Sequence, residues 1–108
     1  MSLLDAGDFE QAAVPLGKAA RLSPEQGSIR EALGRALFKS RQFAAAAEEF
    51  EAIVERYPVD DYAHFCLGRA LDLSGESRRA RHHLVMASNL RPDRSDYRIY
   101  RDRIRRAS

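Results

Sequence analysis

The chain has 108 residues, 44% of them hydrophobic and 31% charged, which is one domain's worth of polypeptide with apolar content for a single core. No run of about 18 apolar residues could cross a membrane as a helix, and Met1-Ser2-Leu3-Leu4-Asp5 lacks the charged and apolar regions of a secretory signal, so the cytoplasm is the expected location. The single cysteine, Cys66, excludes an intramolecular disulfide, and the formal net charge of +2 hides an asymmetry, with 8 basic and 13 acidic side chains in residues 1–76 against 10 and 3 in residues 77–108.

In chain order, Gly7-Asp8-Phe9 reads as a turn into a helix from about Asp8 to Leu22. Pro15 is tolerable there because it falls within the first two turns. Ser23-Pro24-Glu25 supplies a cap residue and a proline at the first helical position. The helix it starts is predicted to run to about Ser40, with Ile29, Leu33, Ala36 and Leu37 on one face. Arg41-Gln42 makes a tight turn into a helix from about Phe43 to Arg56, striped by Phe43, Ala46, Ala47, Phe50, Ile53 and Val54. Tyr57-Pro58 ends it, since the residue before proline is biased away from helix.

Asp60 or Asp61 is placed to cap a helix reaching about Ser74, with Ala63, Leu67, Ala70 and Leu71 inward and Gly75 as its left-handed end. Ser77 is expected to cap the next helix, which carries Ala80, Leu84, Ala87 and Leu90. Pro92-Asp93 leads into a last helix over residues 95–106, where Tyr97, Tyr100 and Ile104 recur at helical spacing among arginines. That pattern predicts one face on the preceding helices and one in water.

These elements repeat with a period of 34 residues. Leu33-Gly34-Arg35-Ala36-Leu37 returns as Leu67-Gly68-Arg69-Ala70-Leu71, and Ala46, Phe50, Ile53 and Pro58 return as Ala80, Leu84, Ala87 and Pro92. Ala12, Leu16, Ala19 and Pro24 occupy the equivalent places upstream. An interior glycine costs a helix about 1 kcal/mol relative to alanine, so Gly34 and Gly68 mark places where another helix must come close. The frame predicts a partial repeat over 1–26, repeats over 27–60 and 61–94, and a capping helix over 95–108, where Arg101 and Asp102 replace the Leu-Gly pair.

The period and these residues resemble the tetratricopeptide repeat, a helix-turn-helix unit of about 34 residues. Leu33-Gly34 and Leu67-Gly68, Ala46 and Ala80, Phe50 and Leu84, and Pro58 and Pro92 fit its signature. Arg30 and His64 stand where its first aromatic is usual, and Leu37 and Leu71 where its second is. The resemblance implies an all-α, right-handed superhelical stack of antiparallel helix pairs, about 2.5 repeats plus a C-terminal capping helix. Sixteen arginines against two lysines, with the alanine content, point to a GC-rich bacterial genome.

Nothing in the sequence assembles a catalytic group. Cys66 and His64 are two positions apart on one helix and diverge, and adjacent His82 and His83 point to different faces without an i+4 partner for a metal. With no Gly-rich phosphate loop either, the reading is a non-enzymatic protein with no cofactor and no metal site.

The resemblance implies instead that a peptide or partner protein docks in the concave groove lined by the first helix of each pair. Helical geometry assigns to that groove Glu31, Arg35, Phe38 and Lys39, then Tyr62, Phe65, Arg69, Asp72 and Leu73, together with Ser28 at its edge. Phe38, Tyr62 and Phe65 are expected as exposed aromatics at a polar rim, and Arg35 and Arg69 as a ladder for carbonyls or carboxylates. The chaperone-peptide clamp known from some members uses Lys and Asn; Glu31, Arg35, Phe65 and Arg69 at the matching places do not support it.

Two alternatives remain open at this stage. One is self-assembly, as a homo-oligomer, through an N-terminal edge where Leu3, Leu4, Phe9 and Val14 lack a complete partner helix. The other is binding of nucleic acid or an acidic surface by a basic patch of Arg94, Arg98, Arg101, Arg103, Arg105 and Arg106.

Overall fold

The computed structural model describes residues 27–107, with side chains to residue 104. The expected helix from Asp8 to Leu22, its cap at Ser23, the apolar edge of Leu3, Leu4, Phe9 and Val14, and the side chains of Arg105 and Arg106 lie outside the described residues. Five α-helices follow one another: α1 (Gly27–Lys39), α2 (Phe43–Arg56), α3 (Asp61–Leu73), α4 (Ser77–Leu90) and α5 (Ser95–Ala107). No strand occurs among the described residues. Each helix packs chiefly against the next along the chain, which is the all-α arrangement of stacked helix pairs that the period implies.

The two tight turns are built alike. At the end of α1 the Gln42 N–H donates to the Leu37 carbonyl at 2.8 Å and the Arg41 N–H to the Phe38 carbonyl at 3.0 Å. At the end of α3, 34 residues on, Glu76 donates to Leu71 at 2.8 Å and Gly75 to Asp72 at 3.1 Å. This is the Schellman closure, which needs a left-handed residue just past the helix. Gly75 takes it at φ 92°, but Arg41 is forced into it at φ 68°. Ser40 and Ser74 repeat as well, each hydroxyl donating to the helix carbonyl three residues back at 3.0 Å.

Asp60 caps α3, its carboxylate accepting from the Ala63 N–H at 3.0 Å. Ser77 does not cap α4 as expected. It is the first helical residue, and Glu76 holds the cap position without a side-chain hydrogen bond. The turn is short enough that Glu76 closes α3 and opens α4 at once, while its carboxylate is taken by Arg79 at 2.8 Å.

The core runs the length of the stack, through Leu33 and Ala36, then Ala46, Phe50 and Ile53, then Leu67, Ala70 and Leu71, then Ala80, Leu84 and Ala87. Both interior glycines sit at helix contacts. A Cβ on Gly34 would lie 2.8 Å from Phe50 Cζ, and one on Gly68 would lie 2.6 Å from Leu84 Cγ. Helix α5 closes the far end with Tyr97 and Ile104 buried. Tyr97 donates its hydroxyl to Asp61 Oδ2 at 2.7 Å, which ties α5 to the start of α3. No helix among the described residues is long and apolar enough to cross a membrane.

Candidate functional site

Helices α1 and α3 turn one face each toward a cleft of about 170 Å³. Arg35, Phe38 and Lys39 enter it from α1, and Tyr62, Phe65, Cys66 and Arg69 from α3, with Phe50 of α2 at its base. Six of the nine residues assigned to the groove from the sequence therefore meet around one opening. Glu31 lines a neighbouring recess with Tyr62 and Asp60, whereas Asp72 and Leu73 are exposed beyond the cleft and line none of it.

The aromatic rim differs from the expectation in one member. Phe38 and Tyr62 are half-exposed, but Phe65 is only 9% exposed. Its ring packs 4.6 Å from that of Tyr97 and 5.5 Å from that of Tyr100, measured between centres. Helix α5 covers it, because a capping helix that buries Tyr97 needs an apolar surface on α3 to sit on. Phe65 thus contributes as wall, while Phe38, braced edge-on against Phe43 at 5.1 Å, stands at the opening.

The arginine ladder is also modified. Arg35 is exposed as expected. Arg69 stands near two rings, its guanidinium carbon 5.1 Å from the centre of Phe38 and 4.4 Å from that of Tyr100. Arg103, one period further on, stands 5.0 Å from the same Tyr100 ring. Such stacking orients a guanidinium while leaving its N–H edge available. Sequence reasoning left Tyr100 and Arg103 out of the groove. The signal was present in the spacing of Arg35, Arg69 and Arg103, but Arg103 falls on a helix read as a cap and a basic patch rather than as part of the groove.

Burial sets the protonation of the lining. It pushes the Cys66 thiol up to about 12, so this cysteine is neutral lining rather than a nucleophile at ordinary pH. Burial, followed by the neighbouring Cys66, likewise pushes the Tyr62 phenol up to about 12.

Among the described arginines of the basic patch, Arg94, Arg98 and Arg101 are engaged within the chain. Arg94 pairs with Asp96 at 2.8 Å and stacks on Tyr97. Arg101 reaches Asp102 at 2.9 Å and Ser88 Oγ at 3.3 Å, and Arg98 donates to the Pro92 carbonyl at 3.3 Å.

The structure joins two histidines that helix-local reasoning kept apart. His64 is buried; its Nε2 lies 2.8 Å from the Pro58 carbonyl, and its Nδ1 lies 3.0 Å from Nδ1 of His83. A carbonyl can only accept, so His64 carries its proton on Nε2 and accepts at Nδ1 from the Nδ1–H of His83. Burial, then the nearby His64 and His82, lowers His83 to about 4. One repeat earlier the same two positions hold Arg30 and Glu49, paired at 2.9 Å. Among the described residues no three His, Cys, Asp or Glu side chains gather as a metal-binding group.

Comparison with known proteins agrees with this geometry. The family model described as tetratricopeptide repeat matches residues 3–65. No curated protein matches the sequence. Among solved structures, MamA 41-end from Desulfovibrio magneticus RS-1 has a TM-score of 0.88 at 25% identity, over 94% of this chain and 58% of that one. The MamA RS-1 ArsTM double mutant has the same TM-score and identity, over 94% of this chain and 57% of that one. The first TPR of Spaghetti (RPAP3), bound to an HSP90 peptide, has a TM-score of 0.89 at 17% identity, over 97% and 83% of the two chains. This chain therefore spans less than three fifths of either MamA chain.

Proposed function

This chain belongs to the tetratricopeptide-repeat family, a family of protein-interaction modules, and from that premise we propose that it binds a peptide segment or partner protein in the cleft between α1 and α3, without catalysis and without a cofactor. The observation that carries this reading is the convergence of Arg35, Phe38, Lys39, Tyr62 and Arg69 on one opening of about 170 Å³. Half-exposed aromatic rings beside unneutralised cations are the composition of an interface centre rather than of a solvated helix face. The wall behind them is fixed by Phe50, Phe65 and Tyr97, so a docking segment meets a formed surface and need not order it first. A cytoplasmic setting is part of the same reading.

The test is capture of partners from a nuclease-treated host lysate by the wild-type chain and by a Phe38→Ala, Tyr62→Ala variant whose far-UV circular dichroism is unchanged. Loss of a partner from the variant alone supports the cleft as the working surface. A partner list identical for both chains removes the cleft from consideration. Self-assembly at the N-terminal edge then becomes the reading to pursue, with light scattering over a concentration series as its measurement. Binding by the arginines of α5 is the weaker alternative, because Arg94 and Arg101 already hold carboxylates of the same chain; a steep loss of binding with salt would identify it.

A further inference from the structure

We infer that the contact between His64 and His83 is a proton-operated latch, which fastens α4 to α3 at neutral pH and releases it on acidification. Neither ring lines the cleft, and the device needs no partner.

The geometry leaves room for one proton between the rings. Their Nδ1 atoms are 3.0 Å apart, whereas the ring centres are 5.2 Å apart and the planes differ by 25°, so the imidazoles meet nearly head-on. His64 is only 5% exposed and its Nε2 is fixed on the Pro58 carbonyl at 2.8 Å, so turning the ring would break that bond as well. A further proton therefore has two places to go. On His64 Nδ1 it sets two N–H groups against each other and ends the bond. On the outer nitrogen of His83 it leaves the bond but charges a partly buried ring.

The surroundings do not offset that charge. His83 shares α4 with Arg79 and His82, faces His64 from α3, and has Glu51 of α2 as the carboxylate acting on it. Glu51 is already taken, by Arg79 at 2.9 Å. Burial and the neighbouring cations lower His83 to about 4, so below pH 6.5 the folded chain binds fewer protons than the unfolded one. The latch holds fully above 6.5 and weakens from there toward 4.

What it fastens is a close-packed seam. A Cβ on Gly68 would lie 2.6 Å from Leu84 Cγ and 3.2 Å from the Ala80 carbonyl oxygen, so α3 and α4 approach almost to backbone contact. Such a seam opens as a unit. The preceding repeat has the equivalent seam, with Gly34 against Phe50, but the two slots of the latch hold Arg30 and Glu49 there, paired at 2.9 Å. That pair needs no shared proton. Of two seams built alike, one is closed by a bond that acid removes.

The experiment transplants the earlier fastening into the later seam. Wild type and a His64→Arg, His83→Glu variant are followed from neutral pH to about 4 by histidine ring nitrogen shifts and by amide exchange corrected for its intrinsic pH dependence. In the wild type the neutral spectra should place the proton of His83 on Nδ1 and that of His64 on Nε2. Exchange across α4 should then quicken at least about tenfold relative to α2 as His83 becomes charged. The variant should lose this difference between α4 and α2. Should it fail to fold, His83→Gln stands in, since its amide still donates to His64 Nδ1 and takes up no proton, and it should lose the acceleration too.

Parallel quickening of α2 and α4 in the wild type would overturn the latch, as would the same acceleration of α4 in the variant that folds. A His83 that becomes charged while α4 stays protected would overturn it as well, because the contact would then tolerate the proton.

Discussion

Replacing Gly68 by alanine should destabilise the chain, against the ordinary rule that alanine is about 1 kcal/mol better than glycine inside a helix. The added Cβ would stand 2.6 Å from Leu84 Cγ, 2.8 Å from Leu84 Cδ2 and 3.2 Å from the Ala80 carbonyl oxygen. Leu84 is 1% exposed and cannot swing aside without displacing its neighbours. Overpacking of this kind costs about 1–3 kcal/mol, so after the propensity gain the net loss is about 1 kcal/mol and at most about 2. Leu84→Ala alone should cost about 2–5 kcal/mol as a cavity. In that background two of the three close contacts vanish and the Ala80 oxygen remains. Gly68→Ala should then be neutral, or stabilising by up to about 1 kcal/mol. The reversal of sign is the signature, and a double-mutant cycle measured by urea unfolding with far-UV circular dichroism reads it directly. If Gly68→Ala stabilises the wild-type chain, or has the same effect in both backgrounds within about 0.5 kcal/mol, glycine is not there for close approach and the packing argument is wrong.

Three further outcomes follow from the same geometry. The folded state holds His83 at about 4 against the ordinary 6.5, so it takes up its proton later than the unfolded chain as pH falls. Its contribution is complete above pH 6.5, declines between 6.5 and about 4, and levels off below; for a half-exposed ring beside Arg79 and Glu51 the loss should be about 1–2 kcal/mol. Urea midpoints across that window should fall less steeply for His83→Gln than for wild type, and equal slopes would refute the assignment. Arg41→Gly removes a side chain from a left-handed position at φ 68° and should raise stability by up to about 1 kcal/mol, where Gly75→Ala at φ 92° should lower it; a rise in both unfolding midpoints would contradict this. Tyr97→Phe deletes the 2.7 Å bond to Asp61 and should cost about 1–2 kcal/mol, seen as faster amide exchange across α5, and unchanged protection there would show that packing alone holds the helix.

Helix α2 was legible from the sequence to the residue, because Phe43–Arg56 is bounded by a turn and by Tyr57-Pro58 and carries an unbroken apolar stripe. The reason for Gly34 and Gly68 was equally legible, since a costly residue kept at one interval demands a spatial explanation. The cap of α4 was not. Ser77 has the preferred chemistry, but the preceding Schellman turn takes Glu76 into the cap position first. Phe65 lines the cleft, but the exposure expected for it is absent, because helical periodicity gives direction from an axis and says nothing of what a later helix lays over it. His64 and His83 have no partner along their own helices; they meet each other across the helix pair, 19 residues apart.

That last separation recurs one repeat earlier in Arg30 and Glu49, which are also 19 residues apart. A repeat preserves geometry at each slot, and the slot preserves a requirement rather than a residue type: two polar groups facing each other beside the core must satisfy one another. An arginine and a carboxylate meet it with opposite charges at 2.9 Å. Two imidazoles meet it through one shared proton, with His64 oriented by the Pro58 carbonyl and His83 held toward its neutral form by burial. The two repeats therefore have the same contacts but different chemical tolerance, and acid should weaken the α3/α4 pair before it weakens α1/α2. Amide exchange compared between α2 and α4 as pH falls through 6.5 toward 4 resolves this order, with simultaneous loss of protection in both helices as the result that would exclude it.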